Sequence, residues 1–371
     1  MRTSEASMAA EVARGGELAA TLAGSWRRPP APLALPGTAL AAQAPLLLAA
    51  GAGGLAWGRV RHEGPAPPPL RDNYRHNALA VATHEADLVR LIPLLRSGGV
   101  EPLLVKGWSV ARLYPEPGLR PCGDIDLCVR PEELAGAVAM LAAAAVHPGR
   151  VDLHGGVADL EDRTWDEVVR RSRFVRLGGT GVRVLGAEDQ LRHLCLHLLR
   201  HGAWRPLWLC DVAVVLESLP TDFDWDYCLG GDGRLSRWVL CALGLARRLL
   251  GARLDNSAVA DRADRLPRWL PDTVLALWGS RHVTDFRPLR AYLRHPLGPW
   301  RFLRDRWRRN PIEVLFNGGS GPFYRLPPFA VRAIAFLLRA RGYAARRLRP
   351  PAPPPFPAAA LPFDIHPPRA A

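Results

Sequence analysis

The sequence predicts an α+β protein, a small mixed sheet with flanking helices embedded in a largely helical chain. Three observations carry that prediction. Leu103 to Val129 reads strand, glycine turn, helix, loop, strand: the apolar run Pro102–Val105 stops at Lys106-Gly107, and a second apolar run covers Ile125–Val129. A further short apolar strand, Val151-Asp152-Leu153-His154, is broken by a single acid. Most of the remaining chain repeats its apolar residues at three- and four-residue steps, the period of a helix packed on one face. With 371 residues, 48% of them hydrophobic, the chain can bury the core of one large or two medium domains.

In order, residues 1–70 form an N-terminal helical segment and a Pro-rich linker. Ala10–Leu22 is Ala/Leu-rich and is stopped by Arg27-Arg28-Pro29-Pro30. Ala39–Trp57 is apolar, but Gln43, Pro45, Gly51, Gly53 and Gly54 interrupt it. A membrane span needs about 20 apolar residues, so the segment reads as a buried helix pair. His62–Leu70 is the linker. Residues 71–186 form the sheet-bearing core. Leu79, Ala82, Ala86, Val89, Ile92 and Leu95 mark a helix stopped by Ser97-Gly98-Gly99 and packed on the sheet. Pro131–Val146 and Asp159–Arg173 read as helices, and Val182–Leu185 as an added strand. Residues 187–348 form a helical domain that opens at Ala187-Glu188-Asp189, with acids at its N-terminus as the helix dipole prefers. Helical patterns recur at Arg234–Leu250, Pro271–Trp278, Arg287–Arg308 and Pro328–Arg347. Residues 349–371 are Pro/Ala-rich and are expected to be disordered.

The chemistry gathers on the sheet. Asp124 and Asp126 stand two apart at the entrance of the second strand, so they share a face. Two such carboxylates repel unless a cation lies between them, and hard divalent ions reach proteins through one or two carboxylates plus substrate phosphates. Asp152 supplies a third acid on the next strand. Together with the glycine turn the three suggest two-metal nucleotidyl transfer using Mg²⁺ or Mn²⁺. Of the 49 Lys and Arg residues a single one, Lys106, is lysine, and it closes the motif strand. A compact ammonium beside a glycine turn suits phosphate, while the plain alternative is a chance survivor in an Arg-biased chain. His154 shares the face of Asp152 and reads either as a phosphate or acceptor contact or as a structural imidazole. His193, His197 and His201 share one helix face. A zinc site there is one reading, but the preferred one is that the face lines the nucleotide cleft or packs against Asp211 of the next helix with His–Asp hydrogen bonds.

KGWSVARLYPEPGLRPCGDIDLCV followed by VDLHGG resembles the bacterial uncharacterised nucleotidyltransferases, a family of the DNA polymerase beta nucleotidyltransferase superfamily. GVRVLGAEDQLRHLCLHLLRHG and WLCDVAVVLES resemble that family's helical half, so the likeness covers about Asn73 to Ser218. It implies a divalent metal and a nucleoside triphosphate donor, with Gly107, Asp124, Asp126 and Asp152 in the family's motif positions. On position alone, Ser109 and Lys106 would bind phosphate oxygens, and Arg120 would neutralise developing charge. Two departures stand out. Gly107 is followed by Trp108, with Ser109 one place later, where the usual turn is Gly-Ser or Gly-Gly. Only one helix and a few residues separate Asp126 from Asp152, where relatives carry a longer insert with a hairpin. Both departures support an alternative reading, a non-catalytic nucleotide-binding or scaffolding protein of a biosynthetic pathway.

The formal net charge is +14, which favours acidic partners, although an Arg-rich composition explains it equally. The partner expected is a nucleoside triphosphate with an unknown hydroxyl acceptor, small molecule, peptide or protein. Nucleic acid is not favoured, because no aromatic-interleaved basic patch is present. The basic end of Pro328–Arg347 would allow peripheral contact with an anionic membrane. The six cysteines form no C-x-x-C pair and there is no secretory signature, so the expected compartment is the cytoplasm.

Overall fold

The computed structural model describes residues 2–33, 37–62, 66–146, 148–280, 300, 303, 305–307, 309–348 and 365–366. Helices α1 (Arg2–Leu22), α2 (Gly37–Ala49), α3 (Gly53–Val60) and α4 (Pro68–Ser97) lead into β1 (Leu103–Leu104). Then come the short α5 (Trp108–Ala111), β2 (Ile125–Val129), α6 (Leu134–Ala143), β3 (Val151–Gly155), α7 (Trp165–Arg171), β4 (Arg173–Leu177) and β5 (Thr180–Val184). The helical half holds α8 (Ala187–Arg200), α9 (Pro206–Leu216), α10 (Trp225–Leu229), α11 (Gly233–Leu250), α12 (Ser257–Ala263), α13 (Leu270–Trp278), α14 (Pro311–Asn317) and α15 (Pro328–Leu348). The Arg287–Arg308 helix and the 349–371 tail fall for the most part outside the described residues. Within the tail, Ile365–His366 (β6) pairs parallel with β3.

The fold is α+β, and the sheet is mixed. Its order is β4-β5-β1-β2-β3, with β6 beside β3. The pairs β1–β2 and β4–β5 are antiparallel, and β1–β5 and β2–β3 are parallel. Alternation along β2 and β3 separates two faces. Ile125, Leu127, Val129, Val151 and Leu153 point into a core shared with Leu88, Leu91, Ile92 and Leu95 of α4 and Ala137, Val138 and Leu141 of α6. Each such fully buried aliphatic side chain contributes roughly 1.5–3 kcal/mol of burial free energy. The opposite face carries Asp126, Cys128, Asp152 and His154, and the segment after β3 covers its apolar part with Val157, Leu160 and Val168. Helices α1–α3 bury Leu18, Leu22, Leu47 and Leu55 in the same core as α8–α13.

Three elements differ from the sequence expectation. The buried stripe of α4 is Asn77, Val81, His84, Leu88, Leu91, Ile92 and Leu95, whereas Leu79 is 69% and Val89 40% exposed. The true stripe contains two polar residues, so an apolar count shifts it. The helix expected over Asp159–Arg173 shrinks to α7 and starts at a capping box, Thr164 with Glu167. The residues after it form the β4–β5 hairpin, which turns at Gly178-Gly179.

The stretch between β1 and β2 is clamped to the N-terminal helices by Glu116. Arg61 donates to both its oxygens, at 2.5 and 2.9 Å, and Tyr74 Oη donates at 2.6 Å. The Arg61 hydrogen bonds outweigh partial burial and hold the Glu116 carboxyl down at about 2. A depressed carboxylate stabilises fully above its ordinary value near 4.5 and loses that contribution as the pH falls toward 2. Glu116→Gln is therefore expected to lose about 1 kcal/mol at pH 7, the pair being partly solvated. Urea titrations of the two proteins should converge near pH 2. An unchanged gap there would mean the loss comes from packing and not from charge.

Candidate active site

The polar face of β2 and β3 is set by register. Asp126 lies beside Asp152 and Cys128 beside His154 on these parallel neighbours, so both acids and the imidazole stand together. The β1 end reaches the same place, since Val105 N donates to Asp126 O at 3.2 Å. The next residue, Lys106, extends its ammonium to Asp126, with Nζ 2.6 Å from Oδ1. His154 Nε2 is 3.1 Å from Asp152 Oδ2 and 3.9 Å from Asp126 Oδ1. One ligand atom from each of Asp126, Asp152 and His154 lies within 4.8 Å of the others. Asp152 Oδ1 is buried and has no hydrogen-bond partner among the described residues. Two oxygens and a nitrogen so gathered, with an orphaned carboxylate oxygen, fit a divalent cation.

The charges in this cluster compensate one another. Burial alone would raise the Asp126 carboxyl, but His154 and Lys106 outweigh it and hold the group well below the usual carboxylate range. Burial likewise opposes charge on Lys106, yet Asp126 keeps the ammonium pKa raised. His154 is lowered by burial and raised more strongly by Asp126 and Asp152, ending at about 9. The mutual repulsion expected of the carboxylates is thus relieved by an ammonium and an imidazolium.

Gly107 turns the chain away from this cluster with φ 57° and ψ −116°, a left-handed value that a side chain resists. Trp108 follows and donates from Nε1 to Glu85 at 2.8 Å, which anchors α5 to α4. His84, one position before Glu85, reaches the same turn. A Cβ on Gly107 would lie 3.7 Å from His84 Nε2. That nitrogen has no partner among the described residues, and burial pushes the imidazole down to about 4.

The other expected site residues lie differently. Asp124 is exposed, one step before β2, and is not in the Asp126–Asp152–His154 group; Arg205 at the start of α9 feels its charge. Ser109 is fully buried inside α5, where Gln190 of α8 donates to its hydroxyl at 3.4 Å and its carbonyl at 3.3 Å. It faces the helical half and not the carboxylates. Arg120 is also committed. Its Nε and Nη2 donate to the two oxygens of Asp211 at 2.8 and 2.9 Å, and Nη1 donates to Pro121 O at 2.8 Å. All three guanidinium nitrogens are occupied, which leaves Arg120 as the buried tie between the β1–β2 loop and α9.

The α8 histidines meet an aspartate, but it is Asp159 and not Asp211. His193 Nδ1 is 3.3 Å and His197 Nδ1 3.6 Å from Asp159 Oδ2, and Arg200 binds Oδ1. Asp211 is unavailable because Arg120 holds it. Asp159 is buried, and the two histidines and Arg200 outweigh that burial to keep its pKa low. These groups do not converge tightly enough to count among the metal-capable clusters of the described residues. His193 is pushed down to about 3 by burial, and neither ring nitrogen makes a hydrogen bond among the described residues. His201 closes an aromatic ledge with His197 and Trp208, its ring 4.5 and 5.2 Å from theirs. Sequence reasoning missed His84 and Asp159. For Asp159 a signal existed: the capping box at Thr164 ends any helix reading upstream, leaving Gly155-Gly156-Val157-Ala158-Asp159 as a loop returning to the sheet face.

The family model for uncharacterised nucleotidyltransferases matches residues 45–251, more than half of the chain. The chain belongs to that family. The matched span includes strands β1 to β5, the Asp126–Asp152–His154 cluster and helices α8 to α11. No curated protein and no solved structure matches the chain. Among the described residues, no helix of this nucleotidyltransferase-family protein is long and apolar enough to cross a membrane.

Proposed function

We propose that this protein transfers a nucleoside monophosphate from a nucleoside triphosphate to a hydroxyl acceptor, with a divalent cation, Mg²⁺ or Mn²⁺, at Asp126 and Asp152. Family membership supports nucleotidyl transfer as the reaction class. The observation that carries the rest is the pairing of Asp126 with Asp152 across β2 and β3, with one buried oxygen of Asp152 unsatisfied. When bound, the cation supplies positive charge against the phosphate oxygens. Asp124 is exposed one step before β2 and stands outside the Asp126–Asp152–His154 group, so it is not assigned to the cation. Lys106 would exchange Asp126 for a phosphate oxygen, an ammonium being able to swing on its flexible stem. Gly107 leaves the turn without a side chain, so backbone and phosphate can approach. Asp152 would accept the acceptor hydroxyl's proton as its oxygen bonds to the α-phosphorus. The α–β phosphoanhydride bond then breaks, and pyrophosphate leaves with its electron pair.

A second reading has its own observation. Lys106 and His154 already balance the two acids, so a protein that only binds nucleotide, or serves as a scaffold, would need no cation here. Pyrophosphate release from each nucleoside triphosphate, with Mg²⁺ or Mn²⁺, separates the two. Transfer predicts slow metal-dependent release even to water, and scaffolding predicts none. Lys106→Met should weaken triphosphate binding roughly tenfold to hundredfold, the span of a lost charge-assisted hydrogen bond. Calorimetry showing unchanged affinity would remove Lys106 from the phosphate site.

A further inference from the structure

We infer that His154 is a direct ligand of the cation, so that the site is two carboxylates and an imidazole and takes a first-row transition ion such as Mn²⁺ in preference to Mg²⁺. This rests on the cation reading proposed above and deepens it. The grounds are geometric. β3 is parallel to β2 and in register, so the residue two beyond Asp152 must return to the face that carries Asp126. His154 does so with Nε2 3.1 Å from Asp152 Oδ2, a ligand-to-ligand spacing, and all three donor atoms fit within 4.8 Å. Asp124 does not join them, so the nearby nitrogen takes the place the sequence gives to a third carboxylate. The three side chains are 8, 18 and 16% exposed for Asp126, Asp152 and His154, a partly enclosed site and not a surface cluster. His84 adds a second sign that the surroundings are built for a ligand. It is 4% exposed and brings an unpartnered Nε2 to the Gly107 turn that borders Asp126.

The donor set decides the ion. Mg²⁺ asks for near-octahedral oxygen and gives up water reluctantly. An imidazole nitrogen favours first-row transition ions over Mg²⁺, and a ligating imidazole must first release its proton. Lys106 on Asp126 sharpens the selection, because an incoming ion has to displace an ammonium and benefits from a nitrogen ligand when it does.

Pulsed electron paramagnetic resonance of Mn²⁺ bound to the full chain tests this. The expected result is a directly coordinated ¹⁴N signal that changes pattern when the protein is made with ¹⁵N-histidine. In His154→Asp the nitrogen coupling should vanish while Mn²⁺ still binds, and the ratio of Mn²⁺ to Mg²⁺ affinity by calorimetry should fall at least about fivefold. Mn²⁺ bound without nitrogen coupling in the wild type would overturn His154 ligation and leave the cation reading standing. Coupling that persists in His154→Asp would assign the nitrogen to another histidine and overturn the inference equally. If Mn²⁺ does not bind at all, the cation reading fails together with it. The ¹⁵N-labelled wild type needs no variant to fold.

Discussion

Asp126→Asn is expected to lower nucleotidyl transfer by about 10³-fold or more while leaving the protein folded. Removing one preorganised electrostatic group from a catalytic centre costs about 10²–10³ in rate on its own. In the proposed reaction Asp126 does two jobs, as a cation ligand and as the partner that holds Lys106, so the loss should lie at or beyond the top of that range. An amide keeps the shape, and its oxygen can still accept from Lys106 across the present 2.6 Å. Stability should therefore fall by no more than about 1–3 kcal/mol, the scale of a weakened hydrogen bond to a charged group. Pyrophosphate release and urea unfolding on the same preparation separate the effects. A folded Asp126→Asn protein with wild-type turnover would exclude Asp126 from the chemistry and leave the scaffolding reading.

The sequence exposes this centre well because strands have a two-residue period. Asp126, Asp152 and His154 need only two short apolar runs to be placed on a common face, and the lone lysine marks the end of β1. What the sequence conceals is how charge is shared. A face of acids reads as repulsive until the register shows Lys106 and His154 seated against them. Long-range partners are also invisible to local pattern. Arg120 and Ser109 lie near the motif in sequence, yet one is held by α9 and the other by α8. His84 comes from α4, well before the motif, and Asp159 from the loop just after VDLHGG that reads in sequence as the start of a helix. A histidine in the buried stripe of α4 displaces the apolar count by one step, which placed Leu79 and Val89 inside when both face solvent.

The Arg120–Asp211 pair should produce a large stability effect. Asp211 is 1% and Arg120 8% exposed at the side chain, and the two make a two-bond fork. Tyr114 Oη adds a third hydrogen bond to Asp211 Oδ1 at 2.8 Å. Burial opposes the guanidinium charge, but Asp211 more than offsets it, so Arg120 keeps its charge inside the fold. Removing one member of such a pair typically costs about 3–5 kcal/mol, because the survivor is left charged and dry. Asp211→Leu should therefore lose that amount in urea unfolding. The double variant Arg120→Met with Asp211→Leu should recover most of it, since no uncompensated charge remains and the volume is kept. The same double variant decides what Arg120 does. With every guanidinium nitrogen engaged by Asp211 and Pro121, Arg120 serves the join between loop and α9, and the refolded double variant should keep pyrophosphate release within about threefold of wild type. A well-folded double variant whose turnover drops a hundredfold would instead mean that Arg120 leaves Asp211 during the reaction and meets the phosphates.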